Sequence, residues 1–160
     1  MAKISKVWAR EILDSRGIPT IEAACQVDTG HIAVASVPAG TSTGSNEALE
    51  LRDNDQNRYH GKGVLKAVEN VNSVLGPSVA GMEVTDQASI DKKLIELDST
   101  ENKSKYGANS ILSVSISSCK AAAASSGQHL YYWINSLAKN LGLNANIHIP
   151  APELVLIEGG

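Results

Sequence analysis

Thr20-Ile21-Glu22-Ala23-Ala24-Cys25-Gln26-Val27 is the stretch on which the fold turns. Ile21, Ala23, Cys25 and Val27 fall on one side of an extended chain. Thr20, Glu22, Ala24 and Gln26 fall on the other, mostly polar side. A period of two predicts a half-buried strand. Asp28-Thr29-Gly30 makes a short hairpin connection, and residues 31–37 return as a strand apolar on both faces. Upstream, residues 3–13 mix Ile4, Val7, Trp8, Ile12 and Leu13 with charges and read as another strand. Asp14-Ser15-Arg16-Gly17 is a turn by composition. Three strands with short links predict an antiparallel meander.

The second half changes period. Val64, Val68, Val71 and Leu75 fall on one helical face, and Gly76-Pro77 is expected to break that helix. Asp86 is placed to cap a helix striped by Ile90, Leu94 and Leu97. Residues 109–126 are small and nearly apolar all round, which predicts a buried helix stopped by Gly127. Leu130, Ile134 and Leu137 mark one more. Strands followed by about four helices give an α+β fold, with the helices on one face of the sheet.

The composition bounds the function. A chain of 160 residues reads as one domain and can bury roughly 68–70% of its unfolded surface. A hydrophobic content of 42% suits a soluble globular chain, and without Phe the core must be filled by Val, Ile, Leu and Ala. The net charge of −3, with Lys and Arg scattered, argues against a nucleic-acid partner. No window approaches 18 apolar residues and no signal region opens the chain, so no membrane role is expected and the expected location is cytoplasmic. Cys25 and Cys119 lie far apart in apolar surroundings and read as reduced core residues.

The chemistry-bearing stretch follows the third strand: Val37-Pro38-Ala39-Gly40-Thr41-Ser42-Thr43-Gly44. Two glycines bracket three hydroxyls, a loop suited to a phosphate, a carboxylate or a metal ion. Gly40-Thr41-Ser42-Thr43-Gly44 also matches the nucleophile elbow of α/β-hydrolases, with His60, His129 or His148 as a base. That motif needs a parallel sheet and a helix directly after the serine, and β-branched Thr at both variable positions fits a strained elbow poorly. Residues 39–62 show little periodicity and read as one long loop. Within it, Asp53-Asn54-Asp55-Gln56-Asn57 begins like a calcium loop, but Arg58 stands where Gly is required and Val64 where Glu is required. Glu47, Glu50, Asp53 and Asp55 read as a solvated acidic stretch.

Several linked motifs resemble enolase. They are Arg10 to Gly17, Val37 to Gly44, Glu47-Ala48-Leu49-Glu50-Leu51-Arg52-Asp53, Gly61-Lys62-Gly63-Val64, Leu97 to Lys105 and Gly107-Ala108-Asn109. Their order and spacing match the N-terminal domain of that family along nearly the whole chain. The resemblance implies residues 1–140 as that domain. It implies 141–160 as a linker and the first strand of the family's catalytic barrel, with Ile147 to Ile157 as that strand and no barrel for it to join. It further implies that Ala39, Gly40, Thr41, Ser42, Thr43 and Gly44 belong to the loop that closes over substrate, and that Ser42 helps to hold a magnesium ion.

Arg10 and Glu22 match positions that contact the partner subunit in the enolase dimer. The implied reaction is dehydration of 2-phosphoglycerate to phosphoenolpyruvate in glycolysis. The family's base, acid, acidic metal ligands and phosphate-binding arginine lie in the barrel. The expectation is therefore that this chain alone is inactive, and that it meets 2-phosphoglycerate only when completed by a barrel. Self-association, pairing with an intact enolase, or a binding role without catalysis are the partner expectations, because apolar surface and the Leu154-Val155-Leu156-Ile157 edge would otherwise be bare. Ile18, Ala39, Thr41, Ser99 and Glu158 depart from the family's usual Asn, Ser, Ala, Gly and Asn.

Overall fold

The structure is a computed structural model that describes residues 1–40, 44, 46–143 and 146–152. Strands β1 (Ile4–Leu13), β2 (Pro19–Val27) and β3 (Ile32–Ser36) form an antiparallel sheet in the order β1-β2-β3. Thr20 pairs with Ile12 and Cys25 with Val7, while Ala33 and Ala35 lie opposite Cys25 and Ala23. The alternation in β2 holds on the helix side: Ile21, Ala23, Cys25 and Val27 are fully buried. The fold is α+β, with helices stacked on that one face.

Helices α1 (Leu65–Asn70) and α2 (Gly76–Val79) join end to end through a π-helical turn at Val71–Leu75. The helix therefore runs through Gly76-Pro77 instead of breaking there. Pro77 sits at the start of α2, where its missing N–H costs little. Gly76 presses against β1, and a Cβ there would lie 2.5 Å from the Val7 carbonyl oxygen. From the π turn, Asn72 accepts from Ala9 N–H at 2.8 Å and donates to Ala9 C=O at 3.2 Å. The outer edge of β1 is thus occupied rather than open.

Helix α3 (Gln87–Asp98) is capped by Asp86, whose side chain accepts from Ser89 N–H at 3.1 Å. Helix α4 (Ala108–Ser125) lies across β2 and β3, and α5 (Leu130–Asn140) packs beside it. α4 is not buried all round. Its sheet-facing stripe is Ser110, Ser113, Val114, Ser117, Ser118, Ala121 and Ala122, while Leu112 is 44% exposed. Small residues let the helix axis approach the sheet closely. Ser113 and Ser117 satisfy their hydroxyls within the helix, on Ser110 C=O at 2.8 Å and Val114 C=O at 3.1 Å, while Ser110 donates to Ala67 C=O of α1 at 3.2 Å and Ser118 to Cys25 Sγ of β2 at 3.9 Å.

Cys25 is in the core, and burial pushes its thiol up to about 11. Cys119 is only half-buried, so one of the two expected core thiols is not a core residue. Residues 146–152 form no strand, because a strand needs a ladder partner and Pro150 and Pro152 cannot donate to one. The rest of the expected barrel strand, with Leu154 to Ile157 and Glu158, lies outside the described residues. Among the described residues no helix is long and apolar enough to cross a membrane.

Ser99 ends α3 in the left-handed region, at φ 57° and ψ 8°, with its N–H bonded to Ile95 C=O at 2.9 Å. The resemblance to enolase implies Gly at this place, the residue for which that conformation is free of strain. Ser99→Gly is expected to stabilise the fold by about 0.5–1 kcal/mol in urea denaturation, with an unchanged slope.

Candidate functional site

The chain leaves the sheet at Val37, whose N–H makes a last bond to Ile21 C=O at 3.0 Å. The Thr20 hydroxyl donates to Val37 C=O, and Arg16 Nη2 donates to Ala39 C=O at 3.1 Å. Thr41, Ser42, Thr43 and Ser45 lie outside the described residues, and with them the expected metal ligand Ser42. The chain is described again at Gly44 and from Asn46 on, and it then runs past the N-terminus of α4.

That passage is held by specific bonds. Leu49 N–H bonds Asn102 C=O at 2.7 Å, and Leu49 C=O accepts from Ala108 N–H at 2.7 Å. The Asn109 side chain clasps Leu51 on both sides, accepting from its N–H at 3.0 Å and donating to its C=O at 3.1 Å. Gly107 makes this approach possible. Its φ is +89°, and a Cβ would lie 2.5 Å from Leu51 Cβ and 2.7 Å from Asn109 Oδ1.

Asp98 organises the neighbouring loop. It is fully buried and accepts from Thr100 N–H at 3.1 Å, from the Thr100 hydroxyl and from Tyr106 N–H at 2.8 Å. Burial acts to raise its carboxyl. The Thr100 hydroxyl and the two N–H donors outweigh burial and leave the group below the ordinary 3.8.

These elements enclose an open cleft of about 640 Å³. Its walls are Val37, Pro38, Gly40, Gly44, Glu47, Ala48, Leu49, Glu50, Arg52, Ala108, Asn109 and Leu112. Glu50 and Arg52 pair at 2.6 Å, and Arg52 also donates to Pro19 C=O at 2.6 Å and Lys62 C=O at 2.7 Å. Arg52 thus ties the cleft wall to the start of β2. With Arg52 spent on Glu50, the described charged groups of the cleft do not form an anion site.

The acidic stretch is solvated only in part: Glu47 and Asp55 are exposed, while Glu50 and Asp53 are half-buried and engaged. Asp53 accepts from Leu65 N–H at 2.8 Å and Lys66 N–H at 2.9 Å, so it caps α1 from twelve residues away. Arg58 pairs with Glu11 and lies 3.7 Å from Asp53, and Glu11 accepts from Val64 N–H at 2.8 Å. The Arg58 guanidinium beside Glu11 holds that carboxyl below the usual range, against its partial burial. These carboxylates close the loop onto α1 and β1. Among the described residues no group of three or more His, Cys, Asp or Glu could hold a metal ion. Neither does the geometry suit a hydrolase elbow: the sheet is antiparallel, and no helix is described between Val37 and the 3₁₀ turn Tyr59–Gly61.

The family model described as "Enolase, N-terminal domain" matches residues 4–134. The chain belongs to the enolase family. The match spans the meander, the anchored cleft wall and the start of α5 in one run. In this enolase N-terminal domain Arg10 and Glu22 lie opposite one another on the helix-free face of the sheet. They pair within the chain at 2.7 Å, and Ser36 Oγ donates to Glu22 at 2.9 Å. The clasp by Asn109 and the cap by Asp53 were hidden from sequence reading. The nearest sequence sign was Gly107-Ala108-Asn109 at a helix start, which does not name its partner 58 residues away.

The folded-state value of Asp98 is depressed, so its contribution to stability is complete above the ordinary 3.8 and is lost as pH falls through the lower folded value. Asp98→Asn is expected to cost about 1–3 kcal/mol at pH 7 and to flatten the loss of stability below pH 4, read by urea midpoints across pH. An acid limb as steep as that of the parent chain would contradict this.

Proposed function

We propose that the chain serves as the N-terminal part of an enolase, contributing the segment that closes over 2-phosphoglycerate as it is dehydrated to phosphoenolpyruvate. The observation that carries this reading is the cleft at Val37 to Arg52, whose wall is anchored on the N-terminus of α4 within the matched domain. Ser42 is the one hydroxyl this chain would offer to a magnesium ion, in a role taken from the family. The described residues do not build a magnesium site of their own: Glu50 is engaged by Arg52 and Asp53 by the N-terminus of α1. Hard cations of this kind need several oxygen ligands.

The proton removed in such a reaction lies beside a carboxylate and is very weakly acidic. Enolase-superfamily sites meet that demand with a Lys or His base and metal ions. The described cleft walls offer Glu47, Glu50 and Arg52 and no Lys or His. The reading therefore holds that the 160-residue chain does not turn substrate over by itself and acts with an enolase barrel.

An exposed apolar strip supports the same reading. Ile95 and Leu112 are half-exposed beside an apolar groove of about 320 Å³ between α3 and α4, and Ile134 continues the strip onto α5. Contiguous apolar patches of this kind mark interaction sites. A binding module without catalysis is the second reading, favoured by the exposed apolar strip.

Phosphoenolpyruvate formation from 2-phosphoglycerate with magnesium separates these. The chain alone is expected to be inactive, and activity is expected when a separately produced enolase barrel is added. Turnover by the chain alone, with host enolase excluded, would overturn the reading. Binding to the barrel without turnover would favour the module.

A further inference from the structure

The turn between β1 and β2 is built by one carboxylate. Asp14 Oδ1 accepts from Arg16 N–H at 2.8 Å and Ile18 N–H at 2.9 Å, and Asp14 C=O accepts from Gly17 N–H at 3.0 Å. Those bonds need only one side-chain oxygen, and an asparagine would supply it. The second oxygen does something else. Asp14 Oδ2 accepts from Arg16 Nε at 3.0 Å and Nη2 at 2.8 Å, which fixes the plane of the guanidinium. The same Nη2 reaches across the turn to Ala39 C=O at 3.1 Å, 23 residues away. Val37 makes the last ladder bond, so this contact holds the chain two residues past the end of the sheet. Ser42 follows three residues later.

We propose that Arg16, held by Asp14, is a positioning residue that fixes Ala39 and thereby directs the start of the segment carrying Ser42. The proposal rests on the enolase reading for its catalytic consequence, but its structural half stands apart from that reading. A bare ion pair between residues 14 and 16 is worth little at a surface. The bond to Ala39 is what gives the pair an effect at a distance.

The test uses the full 160-residue chain and four forms: parent, Arg16→Gln, Arg16→Lys and Asp14→Asn. Asp14→Asn keeps the oxygen that accepts from the turn N–H groups and removes the charge that holds Arg16. It therefore guards against a variant that simply misfolds. Backbone ¹⁵N order parameters are read at Ala39 and Gly40, with Ile18 as the check on the turn. The parent is expected near ~0.85 at both positions, and Arg16→Gln and Asp14→Asn below ~0.6, with Ile18 unchanged. Arg16→Lys, which reaches one acceptor at a time, is expected in between. Unchanged order parameters at Ala39 and Gly40 in both Arg16→Gln and Asp14→Asn would overturn the proposal.

With an enolase barrel added, Arg16→Gln is expected to lower kcat about tenfold with KM little changed, since positioning acts on the reacting geometry. An active parent with an equally active Arg16→Gln overturns the positioning role. An inactive parent counts against the enolase reading, and the order parameters still decide the anchor.

Discussion

The Asn109 side chain, bonded to both the N–H and the C=O of Leu51, is the interaction on which the rest of the cleft depends. A backbone that leaves a sheet at Val37 and, among the described residues, enters an α-helix only at Leu65 must satisfy its polar groups without a ladder. Here side chains and neighbouring loops do it. Asn102 and Ala108 bond Leu49, Asn109 bonds Leu51, Gly63 bonds Asp53, and Arg52 reaches back to Pro19. The irregular wall is thereby fastened to α4 and to β2, the parts of the fold with the most buried core behind them.

That fastening ties an irregular cleft wall to a small, closely packed fold. The sheet and α4 are brought close by a stripe of Ser and Ala, which leaves the larger Leu112 and Ile111 on the outer flank. Leu112 then serves twice, lining the cleft and the apolar groove beside α3. The cleft and the apolar groove are therefore adjacent. In the proposed function this is the needed arrangement, because the chemistry would come from the partner and the covering segment from this chain.

The meander was legible in the sequence because β2 alternates cleanly and Asp14 to Gly17 and Asp28 to Gly30 carry turn chemistry. The helices were legible from their period, except where geometry overrode composition. Gly76-Pro77 reads as a stop, yet a π turn and close contact with Val7 carry the helix through it. α4 reads as buried all round, because Ile and Leu outrank Ser and Ala in hydrophobicity. Close packing instead selected the small face for the sheet. The candidate loop was legible as a segment, but its anchors were not. Asp53 capping α1, Glu11 holding Arg58 and Asn109 clasping Leu51 join residues far apart in the chain, and local patterns do not encode such pairs. Cys119 and Asp53 were misjudged for the same reason: their surroundings are set by elements distant in sequence, whereas Glu47 and Asp55 are exposed as the sequence suggests.

Native-state hydrogen exchange of the Leu49, Leu51 and Asp53 N–H groups tests this account most directly. If side-chain anchors make the wall part of the folded unit, these three protons exchange slowly. As denaturant is added, they should follow the opening of α4 around Val114. Exchange at the rate of a free peptide, with α4 still protected, would show that the wall is only laid against the fold, and the account of the cleft would be wrong.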